Sequence, residues 1–109
     1  MPKRFLRRGP SILSAISYYH TAVISADPEK KEPIGAFVRV LRNPNLPSTP
    51  WGWNIDPTGL RITLNDMRDR YGLPIFIVEN GLGSHDELSP SGFVDDEYRI
   101  DYISAHIRA

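Results

Sequence analysis

The sequence predicts an α/β fold whose strands pair in parallel. Residues 75–78 (IFIV) are four consecutive apolar residues, a pattern typical of a strand that is buried on both faces. Segments with apolar residues at helical spacing lie on both sides of this run, one ending near Gly72 and one beginning near Asp95. The resulting order of strand, long loop, helix, strand, loop and helix is that of a βα repeat, for which we expect a right-handed crossover.

The first half of the chain predicts one strand followed by a long loop. Residues 12–19 are short, mixed apolar and end in two aromatic residues, which favours a strand. Residues 20–55 hold no period for long and contain five prolines, with a brief extended piece at 37–40. A structureless connection of this length is uncommon unless it is functional or disordered. Because it carries Trp51 and Trp53, we favour a functional loop.

The second half predicts two helices with clear end signals. Asp56 and Pro57 are typical of an N-cap and a first helical position, and Gly72 is placed to end that helix. Asn80 and Gly81 predict a tight turn with positive φ after the apolar run. The second helix is expected to start at an acidic cluster, and its apolar stripe contains five residues: Tyr98, Tyr102, Ile103, His106 and Ile107.

Composition excludes several classes of protein. The 109 residues suffice for one domain, and 13 basic residues balance 13 acidic ones, so no nucleic-acid partner is implied. The absence of cysteine excludes disulfides and thiolate metal sites, and no His, Asp or Glu cluster has the spacing of a metal site. No run is long enough to span a membrane. The basic start is interpreted as a solvated terminus rather than a signal peptide. Neither a metal, a cofactor nor a membrane partner is predicted.

Glu79 is the residue that most directly indicates chemistry. It ends the apolar run, and a carboxylate at the carboxyl end of a buried parallel strand is costly unless it is paired or hydrogen-bonded. In βα architectures that edge of the sheet is where active sites are built. A solvated or helix-capping glutamate in a turn is the alternative that position alone leaves open.

Four motifs in collinear order resemble family 1 glycoside hydrolases. Residues 75–81 (IFIVENG) resemble the nucleophile motif of that family, and residues 51–61 (WGWNIDPTGLR) resemble the segment before the preceding helix. Residues 17–19 (SYY) resemble its sixth barrel strand, and residues 98–103 (YRIDYI) resemble the helix after the nucleophile strand. The sequence of residues 51–61 is most similar to that of bacterial 6-phospho-β-glucosidases, as is the sequence of residues 43–46 (NPNL).

The resemblance implies roles for five residues. Glu79 would be the catalytic nucleophile of a retaining mechanism, and Tyr19 the tyrosine whose hydroxyl hydrogen-bonds it. Ser17 shares a face of the strand with Tyr19, and Ser17, Trp53 and Asn80 would be substrate-binding, with Trp53 stacking on the leaving-group side. Such a mechanism needs no metal or cofactor.

Packing roles remain open beside these functional ones. In the alternative interpretation, Tyr18 and Tyr19 are aromatic residues that fill the interior of a barrel. Trp51 is interpreted as a packing residue rather than a binding residue. His20 is left open as a polar group of the pocket, and His85 is expected to be solvated. His106 is predicted to be a helix-face residue rather than a metal ligand.

The resemblance implies a partial (β/α)₈ TIM barrel over residues 1–109. About two βα units are present, corresponding to strands 6 and 7 with a long strand-6 loop and the following helix, whereas a whole barrel takes about 250 residues. Residues 17–109 are family-like and residues 1–16 are an atypical basic start, for which an interrupted reading frame restarted at Met1 is the hypothesis.

Three functions follow from what the sequence contains and lacks. It has no Asn-Glu-Pro motif, which carries the acid/base glutamate of the family, and it lacks the family's strand-eight tryptophan motif and its phosphate-gripping Ser-Lys-Tyr loop. We therefore expect part of a retaining β-glycosidase for 6-phospho-β-glucosides, cytoplasmic and inactive as an isolated chain. The alternatives are a non-catalytic carbohydrate-binding module and a fragment that complements the rest of a barrel.

Overall fold

A computed structural model describes residues 11–27, 29, 32–34 and 38–109, with the backbone alone described for 32–34 and 38–40. Residues 1–10 of the basic start and Phe37 of the predicted extended piece lie outside the described residues. The elements in chain order are β1 (Ser14–Tyr18), β2 (Glu32–Ile34), β3 (Val38–Val40), α1 (Pro57–Tyr71), β4 (Ile75–Asn80) and α2 (Glu97–Arg108).

The predicted parallel pairing is confirmed by β1 and β4, which lie side by side in a two-stranded parallel sheet. The predicted first strand is three residues longer than β1, which begins at Ser14 and ends at Tyr18. Within the predicted loop, β2 and β3 form a short antiparallel pair that the sequence analysis did not distinguish from irregular chain.

A β-bulge interrupts the ladder between β1 and β4. Ile16 pairs with Ile77, but the next pair joins Ser17 to Glu79, so Val78 has no partner on β1. Partnered residues of parallel strands point their side chains to the same face. The extra residue therefore turns the Glu79 side chain onto the face that carries Ser17. Without it, alternation would have placed Glu79 on the same face as Ile77.

Helix α1 begins and ends as the sequence predicts. The Asp56 side chain accepts a hydrogen bond from the Gly59 backbone N–H over 2.8 Å, and Pro57 occupies the first turn. Gly72 ends the helix in the left-handed conformation with φ of 63°, and its N–H donates to the Arg68 carbonyl. Both predicted caps are confirmed, because each residue type satisfies the backbone groups that a helix end leaves unpaired.

The start of α1 is fastened to the end of β1. The buried Tyr18 hydroxyl donates to the Asp56 carbonyl over 2.7 Å, and the Thr21 hydroxyl donates to the Asp56 carboxylate over 2.8 Å. Burial, more than the nearby Asp56 charge, raises the pKa of Tyr18 to about 12, so this phenol stays protonated and remains a donor. The contact fixes where the loop before α1 meets the sheet.

Helix α2 packs its buried face against the carboxyl end of the sheet. Tyr102 and His106 are its buried residues, and the Tyr102 hydroxyl donates to the Tyr19 carbonyl over 2.7 Å. The predicted helical stripe is confirmed at these two positions, whereas Ile107 is exposed. Asp96 stands at the N-cap without a side-chain capping bond.

Two sequence predictions about β4 are wrong. Phe76 and Val78 are 58% and 51% exposed, so the strand is not buried on both faces: among the described residues its only strand partner is β1, and the face carrying Phe76 and Val78 is left open. The predicted positive φ at Asn80 or Gly81 is also absent. Asn80 is the last residue of the strand, so the chain leaves β4 in extended form without needing a tight turn.

No helix among the described residues is long and apolar enough to cross a membrane. Over the same part of the chain, no group of three or more His, Cys, Asp or Glu side chains is placed to hold a metal ion.

Candidate active site

Glu79 lies at the carboxyl end of β4, close to the hydroxyl groups of Ser17 in β1 and of Tyr19, the residue after β1. The Tyr19 hydroxyl donates to Glu79 Oε2 over 3.1 Å. Ser17 is paired with Glu79 in the strand register, which places its hydroxyl beside the carboxylate. The structure thus brings together the three residues that the resemblance assigns to the nucleophile and its neighbours.

These hydroxyls favour the ionised form of the carboxyl group. The Ser17 hydrogen bond, followed by that of Tyr19, holds the pKa of Glu79 below its usual range, against a smaller opposing effect of desolvation. The same contact with Glu79 raises the pKa of Tyr19, so the phenol remains a donor. At neutral pH the arrangement presents a carboxylate anion with fixed donors on one side, which is the state a nucleophile requires.

Trp53 forms an aromatic wall beside this carboxylate. Its ring lies edge-on to Tyr19, with centroids 5.8 Å apart and an interplanar angle of 62°. His20 stacks on Trp53 at 5.1 Å and 26°, which covers part of the indole. The sequence left the place of His20 open, and the structure puts it against the aromatic wall.

A tight turn presents Trp53. The Gly52 N–H donates to the Thr49 carbonyl over 2.8 Å, and Gly52 has φ of 83°, a conformation that favours glycine. The buried Thr49 hydrogen-bonds both backbone polar groups of Trp53. The Thr49 N–H donates to the Trp53 carbonyl, and the Thr49 hydroxyl accepts from the Trp53 N–H. The position of the indole is therefore set by the backbone around it.

Asn54, next to Trp53, is the most deeply buried polar residue described, at 2% exposure. Its carbonyl oxygen accepts from the Asn43 N–H over 2.9 Å, and its amide donates to the Asn43 carbonyl and to the Ser48 hydroxyl. A backbone bridge also links Asn54 to Thr21, just after β1. The Asn54 side chain thus holds the long loop together, and the Asn54 backbone ties that loop to the chain just after β1.

Asn80 is placed on the opposite face from Glu79. Its amide donates to the Tyr18 carbonyl over 2.8 Å and to the Tyr102 hydroxyl over 3.4 Å, toward α2. These contacts link β4, β1 and α2 behind the carboxylate. A direct contact of Asn80 with substrate stays a prediction.

Trp51, Gly83 and His85 form a contact that the sequence analysis missed. A Cβ added to Gly83 would lie 2.1 Å from Trp51 Cε3 and 2.5 and 2.6 Å from the ring atoms on either side of it. Such similar distances place Gly83 over the face of the indole rather than at its edge. Trp51 meets Trp53 at 5.6 Å and 90°, and the exposed His85 lies 6.1 Å beyond Trp51. Trp51 and Gly83 are far apart in the chain, so no local sequence pattern indicates this contact.

The loop that carries Gly83 is fastened to α2 by Arg99. Arg99 Nη2 donates to both carboxylate oxygens of Asp86, over 2.9 and 2.7 Å, and Nη1 donates to Asp96. The Tyr98 hydroxyl also donates to Asp86. Arg99, and then Tyr98, lower the pKa of Asp86, so the pair stays charged at neutral pH. This contact fixes the loop between β4 and α2.

Comparisons with known proteins agree with this architecture. The model of the family described as "Glycosyl hydrolase family 1" matches residues 3–109. The chain is 50% identical over 96 residues to 6-phospho-beta-glucosidase AscB of Escherichia coli, covering 87% of this chain and 20% of that protein. It is 49% identical over 92 residues to aryl-phospho-beta-D-glucosidase BglH of Bacillus subtilis, covering 84% and 20%.

Solved structures give the same result. The family 1 β-glucosidase of Thermotoga maritima superposes with a TM-score of 0.68 at 34% identity, over 88% of this chain and 20% of that one. The chain spans about a fifth of the length of the relatives it matches. The partial α/β architecture, the match of the family model along nearly the whole sequence and these relatives lead to one conclusion: the chain belongs to glycoside hydrolase family 1.

Proposed function

We propose that this chain supplies the nucleophile side of a retaining β-glycosidase that hydrolyses 6-phospho-β-glucosides. The observation that carries the proposal is the ionised Glu79 carboxylate, held by Ser17 and Tyr19 at the carboxyl end of β4 beside the Trp53 ring. A fixed carboxylate next to an aromatic wall is what attack on a stacked sugar requires.

The reaction follows from that geometry in two steps. A Glu79 oxygen attacks the anomeric carbon as the bond to the leaving-group oxygen breaks, and the leaving group departs with a proton from a general acid. Water, giving its proton to the same group, then attacks the anomeric carbon and releases Glu79 as a carboxylate. The Tyr19 hydroxyl orients Glu79 Oε2 in the free enzyme.

The general acid is the part that these 109 residues do not supply. A retaining enzyme places its two carboxyl groups about 5–5.5 Å apart, and the sequence contains no Asn-Glu-Pro. Since proton donation contributes about 10²–10⁴-fold to the rate, we propose that the isolated chain is inactive on ordinary glycosides.

The preference for a 6-phosphate rests on the relatives. Those with the names 6-phospho-beta-glucosidase and aryl-phospho-beta-D-glucosidase are 50% and 49% identical to this chain. A cytoplasmic location belongs to the same proposal, because a phosphorylated sugar is a substrate met downstream of sugar uptake.

The open face of β4 supports association with the rest of a barrel. Phe76 and Val78 project from the same strand as Glu79 and are more than half exposed. Apolar side chains on a parallel strand are normally covered by neighbouring strands and helices. We propose that the remaining barrel strands cover them and complete the pocket.

The test is covalent labelling of the chain with 2,4-dinitrophenyl 2-deoxy-2-fluoro-β-glucoside, with and without a 6-phosphate. Dinitrophenolate leaves without an acid, so the reagent tests Glu79 apart from the missing general acid. We expect an adduct on the peptide that contains Glu79, lost in Glu79→Gln and retained in Glu87→Gln, and the ratio of the two labelling rates measures any preference for the 6-phosphate form. Saturable binding of the reagent without an adduct would contradict the nucleophile proposal and favour a non-catalytic carbohydrate-binding function.

A further inference from the structure

We propose that Trp51 is an outer stacking surface for a second ring of the leaving group, beyond the ring that stacks on Trp53. The inference rests on the proposed function of Glu79 and Trp53 and extends it to the class of leaving group. No contact of Trp51 with Glu79 is involved, so the two can be tested separately.

The aromatic side chains form a row leading away from the carboxylate. Tyr19, which binds Glu79, is 5.8 Å from Trp53, and Trp53 is 5.6 Å from Trp51, measured between ring centroids. His85 ends the row, 6.1 Å from Trp51. Each step is about the size of one ring, so a leaving group that extends past Trp53 meets Trp51 next.

Trp51 is held on one face of its ring and is still half exposed to solvent. Gly83 covers one face of its ring at a separation that no larger residue permits, yet the residue is 49% exposed. This leaves apolar ring surface that a ligand can cover, and its burial would stabilise the complex. Because the covered face fixes the indole, stacking on the other face loses little side-chain entropy.

The angle between the two indole rings restricts which ligands can stack on both. Trp51 and Trp53 lie at 90° to each other. A ligand that stacks on both must hold its two rings in different planes. Rings joined by a single rotatable bond, as in biphenyl, can do so, whereas a fused bicycle such as naphthalene is flat and can stack on one of them only.

The test uses the two tryptophans of the chain as separate reporters. Each indole N–H gives its own NMR signal, assigned with Trp51→Phe and Trp53→Phe. The ligands are the β-glucosides of phenol, 4-phenylphenol and 2-naphthol, each with and without a 6-phosphate. Free 4-phenylphenol is the control for adsorption to exposed apolar surface.

We expect the biphenylyl glucoside to shift both indole signals and to bind about three- to tenfold more tightly than the phenyl glucoside, which shifts Trp53 alone. The naphthyl glucoside should lack most of this gain. Trp51→Leu should abolish the gain and Trp51→Phe should retain most of it. The comparison of the three ligands on the unaltered chain needs no variant, so a failure of Trp51→Leu to fold does not prevent the test.

Equal affinity for the phenyl and biphenylyl glucosides, with only the Trp53 signal moving, would overturn the outer surface and leave the proposed function intact. If no glucoside moves either indole, the proposed function of Trp53 and the outer surface are both overturned. Equal binding of free 4-phenylphenol and its glucoside would show apolar adsorption and also overturn the inference.

Discussion

The Tyr19 hydroxyl donates to the Glu79 carboxylate although the two residues are 60 positions apart in the chain. The contact exists because β1 and β4 pair in parallel and bring their carboxyl ends to one edge. Pairing of the strands and assembly of the site are therefore the same event, and changes to either can be measured at Glu79.

Removing either hydroxyl should raise the pKa of Glu79. Each hydroxyl stabilises the carboxylate, and the Ser17 bond is the larger of the two causes, so Ser17→Ala should raise the pKa more than Tyr19→Phe. Titration of the Glu79 carboxyl carbon by NMR measures both effects. Tyr71→Phe, at an exposed tyrosine of α1, is the control and should leave the value unchanged.

The same bonds should make stability depend on pH in one direction. The pKa of Glu79 is lower in the folded chain than its ordinary value of 4.5. The stabilisation that these hydrogen bonds give the folded chain is therefore fully present above pH 4.5. It is lost as the pH falls through the pKa of Glu79 in the folded chain. Urea unfolding, measured as the pH falls below 4.5, should show a smaller loss of unfolding free energy for Tyr19→Phe than for the unaltered chain. An equal slope in both would contradict the assignment.

Gly83→Ala should displace Trp51. The new Cβ would lie 2.1 Å from Cε3 of the indole, so the ring or the loop must move, at a cost of about 1–3 kcal/mol in the free energy of unfolding. The indole N–H signal of Trp51 should shift, and urea unfolding gives the cost. Gly81→Ala is the matched control, since nothing lies within 4 Å of its added Cβ. Indistinguishable effects of the two substitutions would mean that Gly83 does not support the ring.

Asp56→Ala should weaken the junction between β1 and α1. It removes the cap on the Gly59 N–H and the partner of the Thr21 hydroxyl, for a loss of about 1–2 kcal/mol. Asp66→Ala, which removes only an exposed pair with Arg70 inside α1, should cost about 0.3–0.5 kcal/mol. Urea unfolding followed by circular dichroism compares the two losses of unfolding free energy. A loss for Asp56→Ala no larger than that for Asp66→Ala would contradict the role of Asp56 in fastening α1 to β1.

Arg99→Met should free the loop between β4 and α2. The variant loses the two hydrogen bonds to Asp86 and the one to Asp96, so backbone amides of residues 81–95 should exchange faster with solvent. The pKa of Asp86 should rise, because Arg99 is the main cause of its lowering. Arg70→Met is the control within α1, and unchanged exchange in the loop would show that Arg99 does not fasten it.

The local features of this fold are readable from the sequence and the long-range ones are not. Asp56 and Gly72 mark the ends of α1 because capping uses residue types within one turn of the helix. The contact of Gly83 with Trp51 depends on two loops that meet only after folding, so no periodicity reports it. The placement of Tyr19 beside Glu79 was expected from a family resemblance, because strand pairing leaves no local pattern either.

The unpaired Val78 has a consequence for which sequence changes the strand can accept. Because the bulge sets the face of Glu79, the number of residues after Ile77 matters as much as their identity. Substitutions of Val78 by other apolar residues keep that number and should keep the carboxylate against Ser17. Inserting one residue between Val78 and Glu79 would instead turn the carboxylate toward α2 and the Asn80 amide toward Tyr19. Natural variation at this point should therefore consist of replacements, and insertions of a single residue should be selected against.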